Sequence, residues 1–169
     1  MILREMSSMP RYWLFKSEPD SFSIHDLAAC KGKRTSWEGV RNYQARNMLR
    51  DDIRKGDGVL FYHSSTEPMV IAGTAKVVKA GYPDHFAWDV GHKYFDESST
   101  PDNVVWSMVD ISLVSIFKTP VTRAALSNDP DCRNMMLLKR GSRLSIQPVT
   151  EAEWHAVHRI AGSRVCSAS

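Results

Sequence analysis

The segment Ser36-Trp37-Glu38-Gly39-Val40-Arg41-Asn42-Tyr43-Gln44-Ala45-Arg46-Asn47 places an indole, a phenol, carboxamides and two guanidiniums within a short stretch of chain. Together these groups suit a nucleobase: aromatic faces stack on the ring, amides read its polar edge, and guanidiniums meet phosphate. Stacking on an aromatic is worth about 1–3 kcal/mol per base, enough to hold one nucleotide but not to read a long sequence. Two readings of Trp37 stay open on composition alone. It is either a wall of such a pocket or a core residue whose indole nitrogen finds a carbonyl. Gly39 marks either a turn that needs positive φ or a close approach of ligand to backbone.

Other candidates are more scattered. Ser17 and Glu18 offer a hydroxyl and a carboxylate to a base edge, or else they cap the turn that follows. Of the six histidines, only His63 falls at an expected strand end within a polar, aromatic neighbourhood; His25, His85, His92, His155 and His158 are expected at the surface or half-buried. The chain lacks a Gly-rich phosphate loop, a nucleophile elbow and a closely spaced His and carboxylate pair on a helix. Cys30, Cys132 and Cys166 are far apart and odd in number, which fits buried or idle thiols better than a zinc site or a disulfide framework. No metal or cofactor is expected.

At 169 residues, with 43% hydrophobic and 24% charged residues, the chain suits one compact α+β domain. No apolar run is long enough to span a bilayer, and Arg4 and Glu5 interrupt any signal-peptide core. The expectation is a cytoplasmic, monomeric protein. The net charge of +3 is mild, but charge is segregated. Eight basic residues face three acidic ones between Lys31 and Lys55, six acidic residues face Lys93 alone between Asp84 and Asp110, and six basic face two acidic between Arg133 and Arg164. That pattern predicts either a two-sided molecule whose basic segments form a phosphate-attracting face or ordinary solvated surfaces.

The elements that must position these groups follow from periodicity and caps. Tyr12-Trp13-Leu14-Phe15 reads as a buried strand that ends at Lys16-Ser17-Glu18-Pro19-Asp20. Ser23 with Asp26 caps a short helix over residues 24–30, and Asn42 or its neighbour caps a second through Arg50. Gly56-Asp57-Gly58 predicts a turn before a strand over 59–63, and alternation predicts two long half-exposed strands over 70–79 and 105–113. One or two short helices are expected within 121–138, then a strand over Arg143 to Ile146 that stops at Gln147-Pro148. Thr150 and Glu153 form a capping box for a closing helix with Trp154, Val157, His158 and Ala161 on one stripe. Strands and helices do not alternate regularly, which excludes a doubly wound parallel sheet and favours a curled mixed sheet.

Five motifs in this order resemble the EVE domain: Tyr12 to Pro19, Trp37 to Asn47, Phe61-Tyr62-His63-Ser64, Tyr82-Pro83-Asp84 and Arg143 to Val149. The resemblance spans about Tyr12 to Ile160, with minor departures at Ser36 and Ser65. It implies a PUA-like fold, a curled mixed sheet or pseudo-barrel flanked by short helices and related to YTH and ASCH domains. The implied boundaries are a tail over 1–10, a domain over 11–162 and a tail over 163–169. The implied function is recognition of one modified base in nucleic acid, with modified cytosine in DNA as the leading candidate and a modified base in RNA as another. Carried onto this chain, the base pocket draws on Ser17, Trp37, Val40, Asn42, Tyr43, Tyr62 and His63. Lys16, Arg41, Arg46 and Arg143 form the basic rim.

The mechanism this implies is extrusion of one base into a partly apolar slot, where an added methyl fills space that water occupies poorly. An alternative is a small ASCH-like amidohydrolase acting on a modified nucleoside, with Glu18 or His63 as general base and Lys16 or Arg41 as electrostatic stabiliser. A third reading, an adaptor that binds protein through its acidic segment, rests on the charge count only.

Overall fold

In the computed structural model, residues 9–165 are described. Most of both expected tails, and Cys166, lie outside them. A six-stranded mixed sheet with strand order β2-β5-β4-β3-β1-β6 organises the chain. Its first strand, β1 (Tyr12–Ser17), runs parallel to β3 (Gly58–His63), with Phe15 opposite Phe61, and antiparallel to β6 (Ile146–Val149). The long antiparallel pair β4 (Val70–Pro83) and β5 (Ser107–Thr122) shifts register at four places, and the short β2 (Arg34–Ser36) extends the sheet beside β5. Such shifts bend a strand and increase its twist, which curls the sheet.

Side chains alternate faces along a strand, so β1 and β3 feed two separate cores. Trp13, Phe15, Val59 and Phe61 join Trp37, Val40 and Leu49 on one face; Leu14, Leu60 and Tyr62 join Leu126, Trp154 and Val157 on the other. The first half of β4 is buried on both faces from Ile71 to Ala75 because it lies between β3 and β5, a correction to the half-exposed strand expected there.

The helices match their caps. In α1 (Ile24–Ala29) Ser23 and Asp26 form a capping box, and in α4 (Glu151–Ala161) Thr150 and Glu153 form another. Asn42 caps α2 (Tyr43–Asn47), which continues as a wider turn through Asp52, and Thr122 caps α3 (Arg123–Ser127). The turn before β3 is held by the buried Asp57, whose carboxylate accepts from Trp13 Nε1 at 2.9 Å and from the Arg54 and Arg11 backbone N–H groups.

Two expectations shift. The last strand lies over Ile146–Val149 rather than 143–146, and Pro148 sits inside it; β6 is an edge strand, where a missing N–H is tolerated. His158, expected at or near the surface, is buried on the α4 stripe, where Nδ1 lies 2.7 Å from the Trp154 carbonyl. Among the described residues no helix is long and apolar enough to cross a membrane.

Candidate nucleic-acid interface

The end of β1, the turn that follows it and the segment after β2 converge on a cavity of about 460 Å³, a size suited to a small-molecule or single-base ligand. Trp37 forms part of its lining and is also part of the core: it is 8% exposed and packs against Phe15 at 5.3 Å, Phe61 at 5.5 Å and Phe22 at 6.3 Å between ring centroids. Both sequence readings of Trp37 therefore hold at once. Its indole N–H finds no partner among the described residues, unlike those of Trp13, Trp88 and Trp106, which donate to Asp57, Ser99 and Asp96.

Gly39 lies at φ +83 and its N–H donates to Asp84 Oδ2 at 3.0 Å. A Cβ at this position would overlap the Tyr94 ring, so the glycine serves both its turn and a close approach, here by a side chain of the cavity wall. Asp84 is fully buried; its Oδ2 also accepts from Arg41 Nη1 at 2.8 Å, while Arg41 Nη2 donates to the Tyr94 carbonyl at 2.6 Å. The Arg41 guanidinium lies 5.3 Å from the Trp106 ring centroid and 5.7 Å from that of Tyr94. It braces the wall instead of standing free for phosphate.

Of the residues expected in the base pocket, Ser17, Trp37 and Val40 line the cavity, joined by the rim candidates Lys16 and Arg41. Ser17 Oγ donates to the Phe22 carbonyl at 2.6 Å and thereby folds the turn that carries Phe22 and Ser21 to the wall. Lys16 Nζ donates to the Ser142 carbonyl at 3.3 Å, which joins the first strand to the second basic segment. Burial, and secondarily the Arg123 guanidinium, holds the Lys16 ammonium below the ordinary lysine range. Arg143 is exposed, two residues from the lining Ser145.

The structure places the other four pocket candidates elsewhere. Asn42 Oδ1 is engaged as the α2 cap, accepting from the Ala45 N–H at 3.0 Å. Tyr43 is 61% exposed and stacks on Trp106 with centroids 5.0 Å apart. Tyr62 follows Phe61 by one residue, so the alternation of β3 sends it to the opposite core, where its hydroxyl lies 3.4 Å from Arg123 Nη1. His63 is not in the lining; its Nε2 accepts from the Ile24 N–H at 3.1 Å, and burial, then repulsion from His25, lowers its pKa. Arg46 also stands apart from the lining, donating to the Val105 carbonyl at 2.7 Å beneath Tyr43.

Sequence reasoning passed over Tyr94 and Lys93, which line the cavity from the excursion between β4 and β5, and treated Asp84 only as part of a turn motif. The surplus of acid in 84–110 was the available signal. Between the first basic segment and the acidic one, Arg34 meets Asp110 at 2.7 Å and Arg41 meets Asp84 at 2.8 Å, so two of the charges counted on each side are paired across the segments. In the third segment Arg159 pairs with Asp129 at 2.9 Å. Cys132 is buried away from this cavity, and burial pushes its thiol up to about 12.

Human thymocyte nuclear protein 1 is 40% identical over 169 residues, covering 90% of this chain and 74% of that protein. A crystal structure of human THYN1 in complex with DNA containing 5-methylcytosine superposes with a TM-score of 0.83 at 40% identity, covering 92% of this chain and 99% of that one. The YTH domain of Zygosaccharomyces rouxii MRB1, solved in complex with N6-methyladenosine RNA, shares the fold at 12% identity, with a TM-score of 0.51 over 91% of this chain and 88% of that one. The EVE domain matches residues 11–160, nearly the whole described chain, and with its curled mixed sheet this protein belongs to the EVE domain family.

Proposed function

We propose that this protein is a noncatalytic reader that binds DNA and draws one modified cytosine into the cavity beside Trp37. The observation that carries the reading is the cavity itself: an indole held by Phe15, Phe22 and Phe61, with Lys16 and Lys93 in the same lining. Flipping a base costs a few kcal/mol, which stacking on a fixed ring and hydrogen bonds to the base edge offset. The desolvated Lys16 ammonium gains from an acceptor or phosphate that replaces lost water. The human THYN1 complex with 5-methylcytosine DNA supports DNA as the polymer and cytosine as the base.

The hydrolase alternative has less support. His63 lies outside the lining with Nε2 already engaged, and Arg41 is committed to Asp84 and the Tyr94 carbonyl, which leaves that mechanism Glu18 as its base and Lys16, itself donating to the Ser142 carbonyl, as its stabiliser.

Fluorescence polarisation with duplexes that differ only at one position, cytosine or 5-methylcytosine, tests the reading. Tighter binding of the methylated duplex, weakened by Trp37→Phe, is the expected result. One buried methyl contributes about 0.8 kcal/mol, so a preference of roughly fourfold is the scale to look for. Equal affinity for both duplexes, with Trp37→Phe unchanged, removes it.

A further inference from the structure

Two carboxylates, Glu18 and Glu38, line a cavity read here as a site for a polyanion. Near phosphate a carboxylate repels, so its place in such a site calls for hydrogen-bond donors on the ligand. The two are not equivalent. Glu18 is exposed and its Oε1 accepts from Ser65 Oγ at 3.2 Å. Glu38 is half-buried, adjacent in the chain to Trp37, and its Oε2 accepts from Ser36 Oγ at 2.8 Å. That bond orients the carboxylate and leaves Oε1 without a partner among the described residues. The lining thus offers one oriented carboxylate oxygen with no protein partner among the described residues, on the residue that follows Trp37 in the chain.

We infer that Glu38 is the specificity-determining residue that selects a 4-amino pyrimidine, its Oε1 accepting the exocyclic amine of the flipped base. The inference rests on the base-reading function proposed above and deepens it. A methyl-sized slot alone cannot distinguish 5-methylcytosine from thymine, because both carry the same 5-methyl group. They differ at position 4, where cytosine presents an N–H donor and thymine a carbonyl oxygen. Against a carboxylate, the amine makes a charge-assisted hydrogen bond and the carbonyl sets two acceptors face to face. Thymine's own donor, N3–H, sits between two carbonyl oxygens, so a carboxylate approaching it meets repulsion from both sides. The single free oxygen on Glu38 matches the single donor corner of cytosine. A site whose buried polar group is left unpaired by the wrong ligand discriminates far more strongly than one that measures size.

The full-length chain is titrated with labelled duplexes carrying 5-methylcytosine, thymine or 5-methylpyrimidin-2-one opposite an abasic site, so that no base has a pairing partner to lose. The wild-type protein is expected to bind the 5-methylcytosine probe about tenfold or more tighter than either of the others, the scale of one edge-reading contact. Glu38→Gln, which keeps the Ser36 contact and can turn an N–H toward a carbonyl, should collapse the ratio to thymine to about threefold or less, whereas Glu151→Gln, at an exposed position of α4 outside the lining, should leave it intact. The 5-methylpyrimidin-2-one probe removes the amine from the ligand and needs no variant to fold. Equal wild-type affinity for 5-methylcytosine and 5-methylpyrimidin-2-one, or an unchanged ratio in Glu38→Gln, overturns the role of Glu38 while leaving base reading standing. If all three probes bind no better than a duplex with two abasic sites, base reading fails, and the inference with it.

Discussion

Asp84 Oδ2 accepts at once from Arg41 Nη1 at 2.8 Å and from the Gly39 N–H at 3.0 Å, so one buried oxygen anchors both ends of the Gly39–Arg41 stretch of the cavity wall. Oδ1 of the same carboxylate accepts from the Phe86 N–H at 3.1 Å and ties in the start of the excursion that carries Tyr94. Replacing this carboxylate leaves a guanidinium partly buried without its counter-charge, a change that costs about 3 kcal/mol or more. Asp84→Ala should therefore lower stability in urea unfolding by that order. Asp84→Asn, which keeps an acceptor but loses the charge, should fall between it and the wild type.

Trp37 serves the core and the cavity together, and two substitutions separate these roles. Trp37→Ala empties a site packed by Phe15, Phe22 and Phe61 and should cost about 3–5 kcal/mol of stability. Trp37→Phe retains most of the packing; it should melt close to the wild type yet lose DNA affinity, since the indole N–H and part of the stacking surface are gone. Calorimetric melting and polarisation titration on the same two proteins check this.

Gly39 and Tyr94 are predicted to be energetically coupled. Gly39→Ala adds a Cβ to a backbone at φ +83 and drives it into the Tyr94 ring, a penalty of more than about 1 kcal/mol. With Tyr94→Ala in the background, the steric part disappears and only the backbone strain remains. A double-mutant cycle by denaturant unfolding should return a positive coupling; strict additivity would contradict the close approach.

Stability should fall as the solution is acidified through the histidine range. His63 accepts the Ile24 N–H with Nε2 and must be neutral there; burial is the main cause of its lowered pKa, with His25 adding to it and Asp26 opposing. Burial likewise lowers that of His158, opposed by its contact with the Trp154 carbonyl. In both cases the unfolded chain binds protons more readily than the folded one. Their contribution is complete above the ordinary histidine value of 6.5 and is lost as pH falls from there toward the lowered folded-state values. Urea midpoints measured from pH 7.5 to 5 should decline, and the decline should be shallower in His63→Gln, whose amide oxygen accepts the same N–H without titrating.

Local signals determined a good deal of this protein before any coordinates. Capping boxes at Ser23 and Thr150 are set by contacts within a few residues, and the Gly56-Asp57-Gly58 turn, the β1 and β3 runs and the density of aromatic and amide groups after Ser36 are legible in residue type and short-range pattern; each appears where spacing puts it. Asn42 illustrates the boundary. The same residue was a cap candidate and a pocket candidate, and only the folded chain shows the cap taking its side-chain oxygen. Tyr62 and Phe61 look alike in a strand, but which face holds the cavity depends on where Trp37 packs, a choice made by partners far apart in sequence.

The excursion from Asp84 to Trp106 was the least legible part. Its acidic composition suggested a separate surface, whereas tertiary contacts pair its Asp84 with Arg41 and bring Tyr94 against Gly39, while Asp110, just beyond it on β5, pairs with Arg34. Charge counts along a chain carry no distances, and opposite charges 43 and 76 residues apart attract only once the sheet, with β2 paired to β5, has brought them close. Residue type and short-range periodicity therefore named the chemistry, and long-range register decided which of those residues share one cavity.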